Sequence, residues 1–165
     1  MRDIGEHRPQ DPRYRERVRD EFSRQKAMAY IGASLAIVEP GFVEIHLPYR
    51  DDLTQQHEVV HGGVVSMIVD SACGFAALSL FPADASVLTT EYKINLLAPA
   101  REGKVIARAW VVKSGRTLTI CSGQAYIASG AGEQLIAVAL ETVMQLPRTS
   151  GAPAATGGLN LLMNC

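Results

Sequence analysis

The sequence predicts an α+β domain in which an antiparallel sheet of about six strands wraps around one long central helix. Three observations predict it. The run Val64 to Phe81, which follows His61-Gly62-Gly63, is apolar nearly all round, so its helix must be buried on most sides. Six other segments carry β-branched residues or alternate apolar with polar, the signature of strands with one buried face. At 165 residues the chain fits one domain with a sizeable core, and a curved sheet is the cover that would bury such a helix.

The elements follow in order. Residues 1–10 read as a flexible arm. Asp11-Pro12 is a helix start, with Asp as cap and Pro at the first helical position. Tyr14, Val18 and Phe22 then recur on one face, and the helix is expected over about 12–30, ending before Gly32. Ala33–Val38 and Phe42–Leu47 are strands around a Glu39-Pro40-Gly41 turn; Val43, Ile45 and Leu47 face one way and Glu44 and His46 the other. The segment from Pro48 to Val60 is a polar loop leading into the central helix, about 62–81, which Pro82-Ala83-Asp84 ends. Strands are expected at Ser86–Leu97, Lys104–Lys113, Thr117–Ile127 and Gln134–Gln145, separated by Gly- and Pro-bearing turns. The single domain thus spans 11–146, and residues 147–165 form a linker-like tail with a short apolar end, Leu159–Cys165.

Composition excludes several function classes. A net charge of -1 argues against nucleic acid and anionic membrane. Eight of the 16 Lys and Arg fall in residues 1–26, but they are interleaved with acids, as on a solvated helix face. Val64–Phe81 approaches the length of a membrane span, yet Asp70 at its centre would cost about 2.5–3.5 kcal/mol there. Cys73, Cys121 and Cys165 form neither a disulfide framework nor a metal pair, and the four His show no metal constellation. No apolar stretch follows the basic residues at the start. A cytoplasmic, reduced protein without metal or cofactor is therefore expected. P-loop, nucleophile-elbow and dinucleotide motifs are missing.

The chemistry concentrates at the central helix. Gly62 and Gly63 let another group approach bare backbone N–H donors. Asp70 is the one carboxylate in the apolar run, and a buried carboxylate must be paired, hydrogen-bonded or protonated. Donors at a helix start suit an oxyanion, and a carboxylate withdrawn from water is a stronger base. His61 and Asp70 lie nine positions apart, roughly half a revolution at about 100° per residue, so they face opposite sides of the helix. A His–Asp pair within one chain is not expected; a site shared by two chains removes the difficulty.

The segment His61-Gly62-Gly63-Val64-Val65-Ser66-Met67-Ile68-Val69-Asp70 resembles the HGG-x6-D motif of the PaaI-like acyl-CoA thioesterases. These belong to the hotdog-fold 4-hydroxybenzoyl-CoA thioesterase superfamily. Thr89 to Ala100, ending in Ala98-Pro99-Ala100, and Lys113-Ser114-Gly115-Arg116-Thr117 are similar to two further stretches of that family, and the likeness covers roughly residues 20–146. The resemblance implies hydrolysis of acyl-CoA thioesters by a homodimer or homotetramer with active sites at the subunit interface. It implies Asp70 as general base or nucleophile and the Gly62 N–H as the donor polarising the carbonyl. Thr89 falls where the family orients water, and Gln55, or Gln56 if the loop slips by one, where it contacts the carbonyl. His61 is a further catalytic candidate, more simply read as the residue holding the helix entry. Arg116, with Gly115 beside it, and Gly63 are candidates for binding CoA. Two other readings stay open: a module that binds acyl-CoA or lipid without turnover, and a hydratase or dehydratase using Asp52 and His57. The acyl group, aromatic or fatty, is not specified.

Overall fold

The structure, a computed structural model, describes residues 7–130 and 132–147. All six expected strands form: β1 Ser34–Glu39, β2 Phe42–Pro48, β3 Ala85–Leu96, β4 Lys104–Lys113, β5 Leu118–Ser129 and β6 Gly132–Pro147. They make one antiparallel sheet in the order β1-β2-β4-β5-β6-β3. The long helix, here α3, runs Gly62–Leu78 and lies against β2, β3, β4, β5 and β6, so the sheet curls around it.

Small residues let helix and sheet approach. Ala107, Ala109, Cys121, Ala125 and Ala137 are fully buried on the concave face. A Cβ on Gly123 would stand 2.6 Å from Val69 Cγ1 and 3.0 Å from Cys73 Sγ. Ile68, Val69 and Phe75 of α3 fill the space between, each burial contributing about 1.5–3 kcal/mol. Glu44 and His46 stand on the opposite, convex face as their alternation predicts, where Arg108 bridges Glu44 (2.6 Å) and Glu133.

Three expected boundaries shift. The helix expected over 12–30 is two helices, α1 Tyr14–Ser23 and α2 Lys26–Ile31, with Gln25 extended between them. The break lets Val18 and Phe22 pack from one direction, Phe22 against the Phe75 ring at 5.7 Å, while Met28 and Ile31 enter the core from another. Asp11-Pro12 does not open the helix, which starts at Tyr14 with Arg13 as its cap residue; Asp11 instead holds the turn before it, accepting the Arg13 N–H at 2.9 Å. The central helix stops at Leu78 rather than 81, its end tightening through Leu80 N–H to Ala77 O and Phe81 N–H to Leu78 O. Arg17 closes that end: its guanidinium donates to the carbonyls of Leu78, Phe81 and Pro82, and meets buried Asp11 at 3.3 Å. Within the arm expected over 1–10, residues 7–10 are docked; His7 Nε2 meets Val111 O at 3.0 Å and its ring covers Gly41. Residues 1–6 lie outside the described residues, as does the tail beyond Pro147, Leu159–Cys165 included.

Among the described residues no helix is long and apolar enough to cross a membrane. Strand β3 is a sheet edge, paired to β6 on one side only, and its register slips between Thr89 and Glu91.

Candidate active site

The start of α3 is built by the loop before it. Thr54 and Val60 pair across a tight turn, Val60 N–H donates to Ala100 O at 2.8 Å, and His61 N–H donates to Leu53 O at 2.9 Å. His61 is the helix cap: its Nδ1 accepts the Gly63 N–H at 2.9 Å, which places the ring proton on Nε2, and its carbonyl takes the N–H groups of Val64 and Val65. Of the four N–H groups that open the helix, only that of Gly62 has no acceptor among the described residues. It borders a cleft of about 300 Å3 lined by Gln55, Val65, Leu96, Ala98 and Pro99 among others. A Cβ at position 62 would meet Leu96 Cδ1 at 2.5 Å, so only glycine lets Leu96 lie across the helix start as it does. Gln55 is half-buried in this cleft, whereas Gln56 points to solvent.

Asp70 borders a second cleft, of about 260 Å3, with Gln25, Ser71, Gly74, Phe75, Val87, Leu88 and Thr89. Thr89 Oγ1 lies 2.7 Å from Asp70 Oδ1 and donates to it. Nothing would touch a Cβ on Gly74, one turn further along α3, so the helix presents bare backbone beside Asp70. Ser71 Oγ donates to Gln25 Oε1 at 3.4 Å, which ties the α1–α2 break to this wall.

Below Asp70 lies a carboxyl group that sequence reasoning missed. Glu141 of β6 is 1% exposed, and its Oε1 is 3.1 Å from the same Thr89 Oγ1. Burial, and after it the charge of Asp70, pushes Glu141 up to about 8, against a weaker opposing pull from the Thr89 hydroxyl. Burial also drives the Cys73 thiol beside it well above its ordinary range. The signal for Glu141 was in the strand pattern: Ala137, Ala139, Glu141 and Val143 share the inward face. Gln25 had no such signal, because it enters the site only through the break between two helices.

The predicted residues therefore fall into two groups. Gln55 and Gly62 share one cleft; Asp70 and Thr89 share the other. Gly62 and Asp70 are eight residues, about 12 Å, apart along the helix axis, too far to act on one carbonyl. His61 lines neither cleft. Gly63 is exposed with its N–H taken by His61, so it presents no free donor. Arg116 is exposed on the β4–β5 turn, which Gly115 keeps tight: a Cβ there would meet Leu118 O at 2.3 Å. That turn belongs to the Asp70 end of the sheet, since Thr117 O accepts the N–H of Gln145, and Gln145 pairs with Val87. Asp52 is held by Arg50 at 3.0 Å, and the His57 carbonyl is held by Arg101, so these two form no Asp–His pair.

The comparisons with known proteins bear on the fold and the family. The family pattern of the thioesterase superfamily matches residues 57–133, from the loop before α3 into β6. A thioesterase family protein from Silicibacter pomeroyi is 47% identical, the match covering 81% of this chain and 98% of that one at a TM-score of 0.79. A protein of Saccharolobus solfataricus provisionally named an esterase is 30% identical over 109 residues, 66% of this chain and 72% of that protein. The PaaI protein from the phenylacetic acid degradation operon of E. coli, 14% identical, shares the fold at a TM-score of 0.74 over 82% of this chain and 95% of its own. A sheet curled around an HGG-started helix, with relatives at this level of identity, means that the chain belongs to the thioesterase superfamily and has its hotdog fold.

Proposed function

We propose that this chain hydrolyses acyl-CoA thioesters to the free acid and CoA, in a site completed by a second copy of itself. The observation that carries the reading is the pair of clefts at opposite ends of the edge strand β3. One offers an unpaired Gly62 N–H, the other a carboxylate held by Thr89. Leu88, Tyr92 and Leu96 on that edge are 40%, 48% and 55% exposed. A long edge strand with open backbone groups and exposed Leu and Tyr side chains favours pairing with another strand. Antiparallel pairing of two β3 strands about a two-fold axis near Tyr92 sets Leu88 opposite the partner's Leu96. The Asp70 cleft of one copy then faces the Gly62 cleft of the other.

In that joint site the Gly62 N–H and the Gln55 amide receive the thioester oxygen and stabilise the negative charge that develops on it. Thr89 fixes Oδ1 of Asp70, and the carboxylate either takes a proton from water or attacks the carbonyl carbon itself. On the first route the water oxygen adds to the carbonyl carbon, the carbonyl re-forms as the C–S bond breaks, and the departing CoA sulfur takes the proton; on the second the same cleavage leaves an acyl–Asp70 anhydride, which water hydrolyses to the free acid. Phe75, Val87 and Leu88 supply an apolar wall for the acyl group, and Arg116 at the same end of the sheet supplies charge for the CoA phosphates.

The test is thiol release from a panel of aromatic and C4 to C16 acyl-CoAs by wild type and Asp70→Asn, with sedimentation to measure assembly. Turnover lost by at least about 100-fold in Asp70→Asn, in a protein that sediments as a dimer or larger, is expected. Near-normal turnover in that variant, or turnover by a monomer, would overturn the reading.

A further inference from the structure

The Thr89 hydroxyl lies within hydrogen-bond distance of two carboxyl groups, Asp70 Oδ1 at 2.7 Å and Glu141 Oε1 at 3.1 Å. A hydroxyl has one proton, so it cannot donate to two carboxylates at once. One of the three groups must bring another proton. Asp70 is half-buried and borders an open cleft, so water reaches it. Glu141 is sealed between α3 and the sheet; its second oxygen, Oε2, makes no hydrogen bond among the described residues, and beyond Thr89 the donor beside the carboxyl is the weak S–H of Cys73. As a carboxylate it would be a buried anion with no strong donor beyond the shared Thr89 hydroxyl, the costliest state on offer; as an acid it has a proton to give.

We propose that Glu141 is the positioning residue of the Asp70 site, a carboxylic acid that donates to Thr89 Oγ1 and so turns the single Thr89 proton onto Asp70 Oδ1. No bond other than hydrogen bonds forms or breaks, and the extra proton stays on Glu141 throughout. The relay keeps Asp70 as the one anion of the site. Among the described residues, the titratable groups that face Glu141 are Asp70 and Cys73 on α3, Cys121 on β5 and, across the β3–β6 register, Tyr92; none of these is a cation. Both thiols are held neutral by burial. Loss of the Glu141 proton therefore places a second, uncompensated anion beside Asp70. Thr89 can then serve only one of them.

The role of Glu141 in turnover rests on the thioesterase reading above, but its proton can be followed without turnover. In protein carrying 13C-labelled glutamate, the carboxyl signal missing from Glu141→Gln identifies this residue. It is expected to titrate near pH 8, where burial and Asp70 place it. A transition at the ordinary carboxylate position would overturn the proposal whether or not the chain turns over any ester. In the pH profile of kcat/KM, wild type is expected to lose activity as pH rises through the same region. Glu141→Gln, neutral at every pH and still a donor, keeps the neutral-pH rate within about threefold and loses the alkaline limb. Glu141→Leu, which cannot donate, falls by about tenfold or more at pH 7. An alkaline limb retained in Glu141→Gln, or a Leu variant as active as the Gln variant, would overturn it. Absence of turnover in wild type would count against the thioesterase reading and leave the carboxyl titration to decide on Glu141.

Discussion

Glu141→Gln is expected to flatten the dependence of stability on pH. A glutamic acid ionises near 4.5 in an ordinary setting and at about 8 in this one. The folded chain thus keeps a proton that the unfolded chain has already released. Below about 4.5 both states carry it, and the stability that this site contributes is fully present. Between the two values each pH unit favours the unfolded chain by about 1.4 kcal/mol. The loss accumulates over the interval to something on the order of 5 kcal/mol and is complete once pH passes through about 8. With 1% of the residue exposed, solvent does little to screen this. Glutamine has no proton to lose, so the titrations of groups that do not interact with Glu141 cancel in the difference between variant and wild type. Urea unfolding at matched protein concentration, at intervals from pH 5 to pH 8, measures that difference; matching matters because self-association adds to apparent stability. The stability of Glu141→Gln relative to wild type is expected to rise by about 3–4 kcal/mol across that range. Two curves that stay parallel would refute the argument, since they would mean that the native state does not hold the Glu141 proton.

Three further outcomes follow from the geometry. Thr89→Val removes the hydroxyl and keeps the shape, and is expected to lower kcat/KM by about 10- to 100-fold, the worth of a hydrogen bond to an anion, with Thr89→Ser restoring most of it in the same thiol-release assay. Gly123→Ala forces a methyl within 2.6 Å of Val69 on the central helix and is expected to cost about 1–3 kcal/mol, seen as a lower urea midpoint at unchanged slope. Arg17→Ala uncovers the last carbonyls of α3 and strands Asp11, which is 4% exposed, without its cation; a loss of about 3 kcal/mol or more is expected by thermal melting.

Much of this was legible in the sequence because it rests on local rules. Period-two alternation gave each strand to within about two residues, and the uniform apolarity of 64–81 required a wrapped helix. Gln55, Gly62, Asp70 and Thr89 do line clefts, and the half-revolution between His61 and Asp70 foretold that they would not meet. What stayed hidden depends on distant contacts. The break at Gln25 has no local breaker residue; it exists because Phe22 and Met28 must reach the core along different lines. His7 looked like part of a loose arm, since nothing nearby in sequence reveals that Val111 and Gly41 wait for its ring. The alternation along β6 turns position 141 inward, a signal the sequence reading passed over, and only the folded β3–β6 pairing shows that Glu141 reaches Thr89.

The separation of the clefts along β3 has a genetic consequence under the two-copy site proposed above. Each site would draw on two chains, so an inactive copy harms the healthy copy it pairs with. Conversely, two different inactive variants could rescue one another. A chain with Asp70→Asn mixed with a chain with Gln55→Ala would form mixed dimers in which one site collects both defects and the other collects none. Random pairing makes about half the dimers mixed, so about a quarter of the sites regain their full set of groups although no chain in the tube is intact.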